Sequence, residues 1–224
     1  MIQALAASIR GLAGPDLAVA LCGATGPLDR LWPDEQTAMV RAVPSRIAEF
    51  TAGRTAARAA MQALGLPKKA IPMGRDRAPV WPDGVVGSIS HSDGICVAVV
   101  ARAGAITAIG VDLEPLSPMA KDLWPDVCGA VELSELYGLP ELARGPAAKL
   151  IFSAKECTYK CIYPQIQTVL GFDALEIALN PAHGTFNATL LQPAGLFAAG
   201  TSWRGGYALV QGMIVTVLIL RESH

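Results

Sequence analysis

Histidines and paired cysteines are scarce in this chain of 224 residues. It contains three histidines and five cysteines, and no two cysteines form a C-x-x-C pair. Their odd number and scattered positions are typical of reduced thiols, so we expect a cytoplasmic protein. Cys157 and Cys161 would share one helix face, but no histidine or further cysteine stands at the usual spacing of a metal site. We therefore predict that both pack as small apolar side chains.

Long apolar runs are also absent. The most apolar segment, Tyr207–Leu220, is broken by Gln211 and Gly212 and is shorter than the roughly 20 residues that span a bilayer. It predicts two buried strands. The N-terminus has no basic leading region, and Arg10 interrupts its apolar residues, so it does not resemble a signal peptide.

A strong charge of either sign is missing, because the formal net charge is -1. Without a general field that attracts polyanions, nucleic acid is excluded as the main partner, and locally placed arginines and lysines must bind any anion. Hydrophobic residues make up 52% of the chain and charged residues 17%, which is enough apolar surface for a core without external staples.

Two long helical patterns alternate with strand and turn signals. The alanine-rich stretch Ser45–Leu64 is closed by Gly65 and Pro67 and predicts a helix, and Pro146 is typical of the start of a second one. Strands are predicted at Leu17–Leu21, Val85–Ile89, Ile95–Ala101, Ile106–Glu114, Leu175–Leu179, Thr185–Leu191, Tyr207–Val210 and Ile214–Leu220. Each half then contains a long helix and several strands, which indicates two lobes of α+β build, 1–103 and 104–224. The halves share no obvious sequence repeat.

The strand pattern Ile109–Glu114 carries two acids. Asp112 and Glu114 point to one face of an extended strand, and Gly110 on that face predicts open space beside them. Two converging carboxylates with a third from elsewhere form the oxygen site that Mg²⁺ accepts beside substrate phosphates. A solvated strand end is the alternative.

The helical segment Phe152–Lys160 supplies the third acid. Glu156 and Lys160 are four residues apart, which is typical of an ordinary surface ion pair as well as of a functional site. The aromatic residues Phe152, Tyr159 and Tyr163 lie opposite the apolar stripe of this helix, which favours a helix between a core and a cleft. The stripe comprises Ala147, Leu150, Ala154, Cys157 and Cys161.

His91 ends a strand among the hydroxyls of Ser88 and Ser90. A histidine in a turn is more often a hydrogen-bonded structural group than a catalytic one. A serine hydrolase is not favoured, because the chain has no G-x-S-x-G elbow here.

Arginines offer candidate anion contacts on the first long helix and in the loop that follows it. Arg46, Arg54 and Arg58 lie on neighbouring faces of the helix, where a phosphate grip and a solvated basic face are both open. Arg75 and Arg77 in the loop leave the same two possibilities.

Four segments occur in a fixed order: Glu49–Arg58, Pro79–His91, Ile109–Glu114 and Phe152–Lys160. Together they resemble the signatures of 4'-phosphopantetheinyl transferases, of the bacterial stand-alone type that serves siderophore, polyketide and non-ribosomal peptide synthesis. The resemblance implies two pseudo-symmetric α/β lobes with the active site in the inter-lobe cleft. It also implies that a serine of an apo carrier protein attacks the β-phosphate of coenzyme A and releases 3',5'-ADP.

The resemblance also assigns roles to residues. It implies that Asp112, Glu114 and Glu156 hold Mg²⁺, with Mn²⁺ as an alternative. Glu156 is the expected base, and Lys160 and Asp112 complete the expected catalytic set. The implied coenzyme A ligands are Lys155, Lys160, Ser90 and His91 at the phosphates and Arg46, Arg54 and Arg75 at the nucleotide end. Cys157 and Met73 depart from the family pattern.

The partners implied are acyl or peptidyl carrier proteins and coenzyme A, with no nucleic acid and no membrane. Candidate docking segments for the carrier protein are Pro115–Gly129 and the stretch after Tyr163. Two alternatives stay open: a non-catalytic coenzyme A-binding relative, and a small trimeric holo-carrier synthase. Because the chain is about twice the length of a one-lobe subunit, we expect a monomer.

Overall fold

The computed structural model describes residues 1–222 and contains both helices and strands, which confirms the α+β class. The chain divides into two compact units. The first comprises Met1–Ile109 together with the C-terminal end from Leu220, and the second comprises Gly110–Ile219. The division therefore falls inside a strand, six residues after the boundary expected from the sequence.

The first unit contains a three-stranded antiparallel sheet in the order β1-β3-β2. Its elements are α1 (Ile2–Ala13), β1 (Ala18–Gly23), α2 (Pro33–Gln36), α3 (Pro44–Ala63), β2 (Val85–Ser92) and β3 (Ile95–Arg102). Helix α3 packs on β1 and β3. Its small residues Ala56, Ala57 and Ala60 are buried against Val100, so the alanine-rich pattern allows a close approach of helix and sheet.

The predicted hairpin is confirmed. Strands β2 and β3 pair in register through a turn in which Asp93 and Gly94 have φ values of 48° and 72°. Two left-handed residues give a turn whose twist matches the right-handed twist of the strands. The register places His91 opposite Cys96 at the turn end of the hairpin.

The second unit contains a five-stranded sheet in the order β4-β8-β7-β6-β5. Its elements are β4 (Ile106–Pro115), α4 (Trp124–Val127), α5 (Ala130–Gly138), α6 (Glu141–Ile166), β5 (Leu175–Asn180), β6 (Thr185–Leu190), β7 (Ser202–Val210) and β8 (Met213–Arg221). Helix α6 packs on β5 and β6. The predicted stripe of α6 is buried, apart from Ala147, which is partly exposed.

Two boundaries differ from the sequence prediction. Helix α6 begins at Glu141, so Pro146 lies inside it and is not in its first turn. Strand β7 begins at Ser202, five residues earlier than predicted. Glycine has a low strand propensity, so Gly205 argues against a strand here. A side chain at this position would collide with the ring of Phe186, so the glycine makes room for a core aromatic.

No helix within residues 1–222 is long and apolar enough to cross a bilayer. Cys157 and Cys161 are fully buried free thiols, and burial strongly raises the pKa of Cys157. Both were predicted to pack as apolar side chains, and their burial agrees with that.

Candidate active site

The acids of β4 face helix α6. Lys160 Nζ lies 2.6 Å from Asp112 Oδ1, and Lys149 Nζ lies 3.3 Å from Glu114 Oε2. Asp112 is 3% exposed, whereas Glu114 is partly exposed near the end of the strand. The alternation predicted for Asp112 and Glu114 is therefore correct, and they do not form a solvated strand end.

Gly110 does not leave open space, contrary to the expectation. A Cβ atom at this position would overlap the backbone carbonyl of Cys157 and lie 2.9 Å from the Cβ of Cys161. The space beside the strand is filled by the backbone of α6. Gly110 brings strand and helix close together, and this close approach is what allows Asp112 to contact α6.

The polar side chains that α6 offers to β4 lie on one stripe. Lys149, Ser153, Glu156 and Lys160 are separated by four, three and four residues, which places them on one helix face. Lys149 and Ser153 were missed by the sequence analysis, which followed only the apolar residues and the aromatics. The same spacing rule, applied to polar residues, could have found them.

Burial and nearby charges shift the pKa values of Glu114 and Glu156. Burial raises the pKa of Glu114, and repulsion from Asp112 adds to the shift, while Lys149 opposes it. Burial also raises the pKa of Glu156, where attraction to Lys160 opposes the shift and repulsion from Asp112 and Glu114 adds to it. Burial alone would lower the pKa of Lys160, but Asp112 outweighs it and the pKa is raised. The four groups therefore act on one another electrostatically.

The three carboxylates are near one another but do not ligate a common point. Within the described part of the chain, no group of three His, Cys, Asp or Glu side chains is arranged to hold a metal ion. Asp112 and Glu114 each contact a lysine ammonium group instead. The side chains form an acidic cluster, and Lys160 and Lys149 offset part of its negative charge.

Lys155 is not available to a phosphate, so the prediction that it contacts one is wrong. It is 1% exposed, and its three ammonium hydrogens have three acceptors. Nζ donates to the carbonyls of Val127 and Phe172 at 2.8 and 2.9 Å and to the carboxylate of Glu132 at 2.8 Å. Five residues of helix separate Lys155 from Lys160 by about 140°, so the two lysines point to different surroundings.

Arg54 and Ser90 are also buried, which does not support their predicted contacts with coenzyme A. Arg54 is 6% exposed, lies over the ring of Phe50, and donates from Nε to the carbonyl of Ile71 at 2.8 Å. Burial lowers its pKa to about 10. Ser90 is 4% exposed within β2. Arg54 fixes the chain after α3 rather than facing solvent.

Arg46 and His91 do come together at the surface of the first unit. Arg46 Nη1 lies 3.2 Å from His91 Nε2, and Glu49 approaches both, at 3.6 Å from Arg46 and 3.7 Å from His91. The side chains of Arg46 and His91 are 43% and 39% exposed, so both are accessible. Arg75 is exposed in the loop before β2.

The aromatic residues of α6 pair with one another and with the next turn. Phe152 packs on Phe172 at 5.5 Å between ring centroids, and Tyr159 packs on Tyr163 at 5.4 Å. All four rings are only partly exposed. Phe152 also lies beneath the ammonium of Lys149, so it flanks the acidic cluster.

Comparison with known proteins identifies the family. The family model described as the 4'-phosphopantetheinyl transferase N-terminal domain matches residues 34–101, and that of the 4'-phosphopantetheinyl transferase superfamily matches residues 108–210. The chain is 40% identical over 197 residues to 4'-phosphopantetheinyl transferase Svp of Streptomyces mobaraensis, which covers 86% of this chain and 79% of Svp. The chain belongs to the 4'-phosphopantetheinyl transferase family.

Two further relatives are similar to the chain over most of its length. The transferase is 33% identical to 4'-phosphopantetheinyl transferase PptT of Mycobacterium tuberculosis over 84% of this chain and 85% of PptT. It is 37% identical to enterobactin synthase component D of Escherichia coli over 64% of this chain and 67% of that protein. The second family match spans the transferase from β4 into β7 and therefore includes the whole acidic cluster. Coenzyme A is the substrate that this family uses.

Proposed function

We propose that this enzyme transfers the 4'-phosphopantetheine arm of coenzyme A to a serine of apo acyl or peptidyl carrier proteins, with Mg²⁺ bound and 3',5'-ADP released. The carriers are those of polyketide, non-ribosomal peptide or siderophore synthesis. The observation that carries the proposal is the cluster of Asp112, Glu114, Glu156 and Lys160, which lies inside the segment that matches the superfamily.

The donor set suits a hard divalent cation. Asp112, Glu114 and Glu156 would hold Mg²⁺, which prefers carboxylate oxygens together with substrate phosphates. Burial raises the pKa of Glu114 and Glu156, and repulsion among the three carboxylates adds to the rise; a bound cation would relieve that repulsion. Lys160 and Lys149 offset part of the negative charge of the carboxylates, and they would move away from the carboxylates when the ion binds. Bound Mg²⁺ supplies charge neutralisation at the pyrophosphate, and Mn²⁺ offers similar ligand preferences.

Glu156 is the proposed base for the serine hydroxyl. As a carboxylate on the helix face that meets Asp112, it can accept the proton of a hydroxyl bound beside the cluster. The serine oxygen forms a bond to the β-phosphorus, the bond from that phosphorus to the bridging oxygen breaks, and 3',5'-ADP leaves with the electron pair. Glu156 takes the serine proton.

The cations would bind the phosphates. Lys160 is held against the cluster by Asp112, and its ammonium would contact the oxygens on which charge develops. Arg46 and His91 form an exposed pair that would contact an anionic part of coenzyme A, and Arg75 is accessible for the same role. Lys155, Arg54 and Ser90 are left out of the proposed ligand set because they are buried.

The proposed partner docks on exposed surface of the second unit. Within the segment Pro115–Gly129, Leu116 and Leu123 are exposed apolar residues, as is Val169 after Tyr163. Apolar contacts of this kind are what a helical carrier protein requires at an interface core. Substitution of Leu123 and Val169 by serine should raise the KM for carrier protein without changing the KM for coenzyme A. An unchanged KM for the carrier would remove both segments from the interface.

The reaction is tested by incubating the enzyme with an apo carrier protein, coenzyme A and MgCl₂ and following the carrier by mass spectrometry. We expect the carrier to gain one phosphopantetheine arm. Coenzyme A binding without mass gain on any carrier would favour a non-catalytic relative. Light scattering should give the mass of one chain, and a mass near three chains would favour the trimeric alternative.

The role of Glu156 is tested by Glu156→Gln, which keeps the shape and removes the charge. We expect kcat to fall by roughly 10²–10⁴-fold, as for loss of a general base, with an unchanged circular dichroism spectrum. Glu141→Gln is the matched control, because Glu141 is exposed on the same helix, and it should keep near wild-type kcat. Retention of most of the rate in Glu156→Gln would remove Glu156 as base and as ligand.

A further inference from the structure

Both carboxylate oxygens of Asp112 have a hydrogen-bond donor from helix α6. Oδ1 accepts from Lys160 at 2.6 Å, and Oδ2 accepts from the hydroxyl of Ser153 at 2.8 Å. Asp112 is 3% exposed and Ser153 is 0% exposed, so this second contact lies out of reach of bulk water. An ionised carboxylate at such a depth needs these donors.

A third residue completes the network. The hydroxyl of Thr216 lies 3.0 Å from that of Ser153, and it also lies 3.0 Å from the Ser153 carbonyl, to which it donates. Thr216 belongs to β8, which neighbours β4 in the sheet, and it too is 0% exposed. Strand β4, helix α6 and strand β8 therefore each contribute one side chain.

The hydrogens can be assigned by counting. An ionised Asp112 can only accept, so the single hydroxyl hydrogen of Ser153 points to Oδ2. The direction of the hydrogen bond from Ser153 to Asp112 is thereby fixed. Thr216 donates its single hydroxyl hydrogen to the Ser153 carbonyl, so it holds the main chain of Ser153 and lies beside the Ser153 hydroxyl.

We propose that Ser153, supported by Thr216, is a positioning residue that holds Oδ2 of Asp112 so that Oδ1 is presented to the cation. The inference rests on the proposed function, in which Asp112 is a ligand of the divalent ion. The terminal torsion of an aspartate is broad, so a lysine alone leaves the carboxylate free to rotate. A second, buried donor on the other oxygen removes that freedom.

The contact with Ser153 does not depend on the lysine. Lys160 is 28% exposed at its side chain and can move to a phosphate, whereas Ser153 is enclosed and stays with Asp112. Ser153 therefore orients the carboxylate both when Lys160 is paired with it and when the ion replaces Lys160.

The experiment measures the dissociation constant of Mn²⁺ by electron paramagnetic resonance, with coenzyme A present and no carrier protein. We expect Ser153→Ala to weaken Mn²⁺ binding by about 10–100-fold, the usual effect of removing a group that orients a metal ligand. Thr216→Val removes the hydroxyl at constant shape and should weaken it by a smaller factor. Thr216→Ser, the matched control, keeps the hydroxyl and should bind like wild type.

Wild-type Mn²⁺ affinity in folded Ser153→Ala would overturn the inference. If that variant does not fold, equal affinities of Thr216→Val and Thr216→Ser would overturn it. The proposed function fails separately: wild-type enzyme that binds Mn²⁺ but modifies no carrier contradicts that function and leaves the positioning role intact. Wild-type enzyme that binds no Mn²⁺ contradicts both.

Discussion

Each unit of the molecule contains a buried glutamate that is bound in the same way. Glu35 in the first unit accepts from the backbone N–H of Trp32, three residues before it, and from that of Ile71, after the long helix. Glu132 in the second unit accepts from the N–H of Gly129, again three residues before it, and from that of Ile177. We call each glutamate with its cation a clamp.

The two clamps differ in the cation that the long helix supplies. In the first unit, Arg58 of α3 places Nη1 at 2.6 and 2.7 Å from the two oxygens of Glu35. In the second, Lys155 of α6 gives only one of its hydrogens to Glu132 and the other two to main-chain carbonyls. The arginine donates mainly to its acid and reaches one main-chain carbonyl, that of Arg30 at 3.4 Å, whereas the lysine donates to the carbonyls of two other segments at 2.8 and 2.9 Å.

This difference explains why Lys155 was misassigned. Lys155 lies next to Glu156 in a motif that resembles a phosphate site, so the sequence suggested a contact with phosphate. In the structure, Lys155 is instead the counterpart of Arg58. Each clamp ties a long helix to the short helix before it and to the chain after it. In the second unit this fixes α6, which carries Ser153, Glu156 and Lys160.

The comparison predicts the largest effect for loss of a clamp cation. Lys155→Met and Arg58→Met each leave a buried carboxylate unpaired, which costs about 3–5 kcal/mol of unfolding free energy. Lys155→Met should cost more, because it removes the donor from two carbonyls, those of Val127 and Phe172, at 2.8 and 2.9 Å, whereas Arg58→Met removes it from one, that of Arg30, at 3.4 Å. Urea unfolding at pH 7 measures both.

An exposed ion pair is the control for these two variants. Asp16 and Arg221 are 3.4 Å apart with side chains 62% and 49% exposed, so Asp16→Ala should change the unfolding free energy by less than about 1 kcal/mol. If Lys155→Met lost no more stability than Asp16→Ala, the clamp would not be what holds α6.

A second contrast concerns the glycines where helix meets strand. Gly110 of β4 meets the backbone of α6, so Gly110→Ala should cost about 1–3 kcal/mol through overpacking. It should also lower kcat, because it moves Asp112 away from α6. Gly53 of α3 meets only the Cγ2 methyl of Ile89, at 3.0 Å, and alanine favours the helix, so Gly53→Ala should change stability by less than about 1 kcal/mol.

Melting temperatures of the two alanine variants measure this difference. A larger loss in Gly53→Ala than in Gly110→Ala would show that the strand in the second unit can shift without cost, and would weaken the link between Gly110 and the active-site geometry.

A conservative substitution with a small expected effect tests the distinction between the two cations. Arg58→Lys keeps the charge but loses the second guanidinium nitrogen, which donates to the carbonyl of Arg30 while Nη1 contacts Glu35, and we expect a loss of about 1 kcal/mol. Urea unfolding beside Arg58→Met makes the comparison. If the two variants were equally unstable, the geometry of the guanidinium rather than its charge would hold the first clamp.

Local sequence patterns predicted much of the fold. The helix predicted at Ser45–Leu64 is α3, and the alternation in Ile106–Glu114 is β4, because apolar period and turn residues act over a few neighbouring residues. The start of α6 was missed, since Pro146 is tolerated within it. The start of β7 was missed, since Gly205 is explained only by the ring of Phe186.

The sequence by itself determined which residues of the acidic cluster share a face, because strand and helix periods are properties of the backbone. Only the tertiary structure decided which of these faces is buried and what meets it. Lys155 and Lys160 look alike in the sequence, but one is enclosed with three acceptors and the other lies beside Asp112. Thr216 carries no local signal at all, since its role depends on a strand that lies 63 residues from Ser153 along the chain.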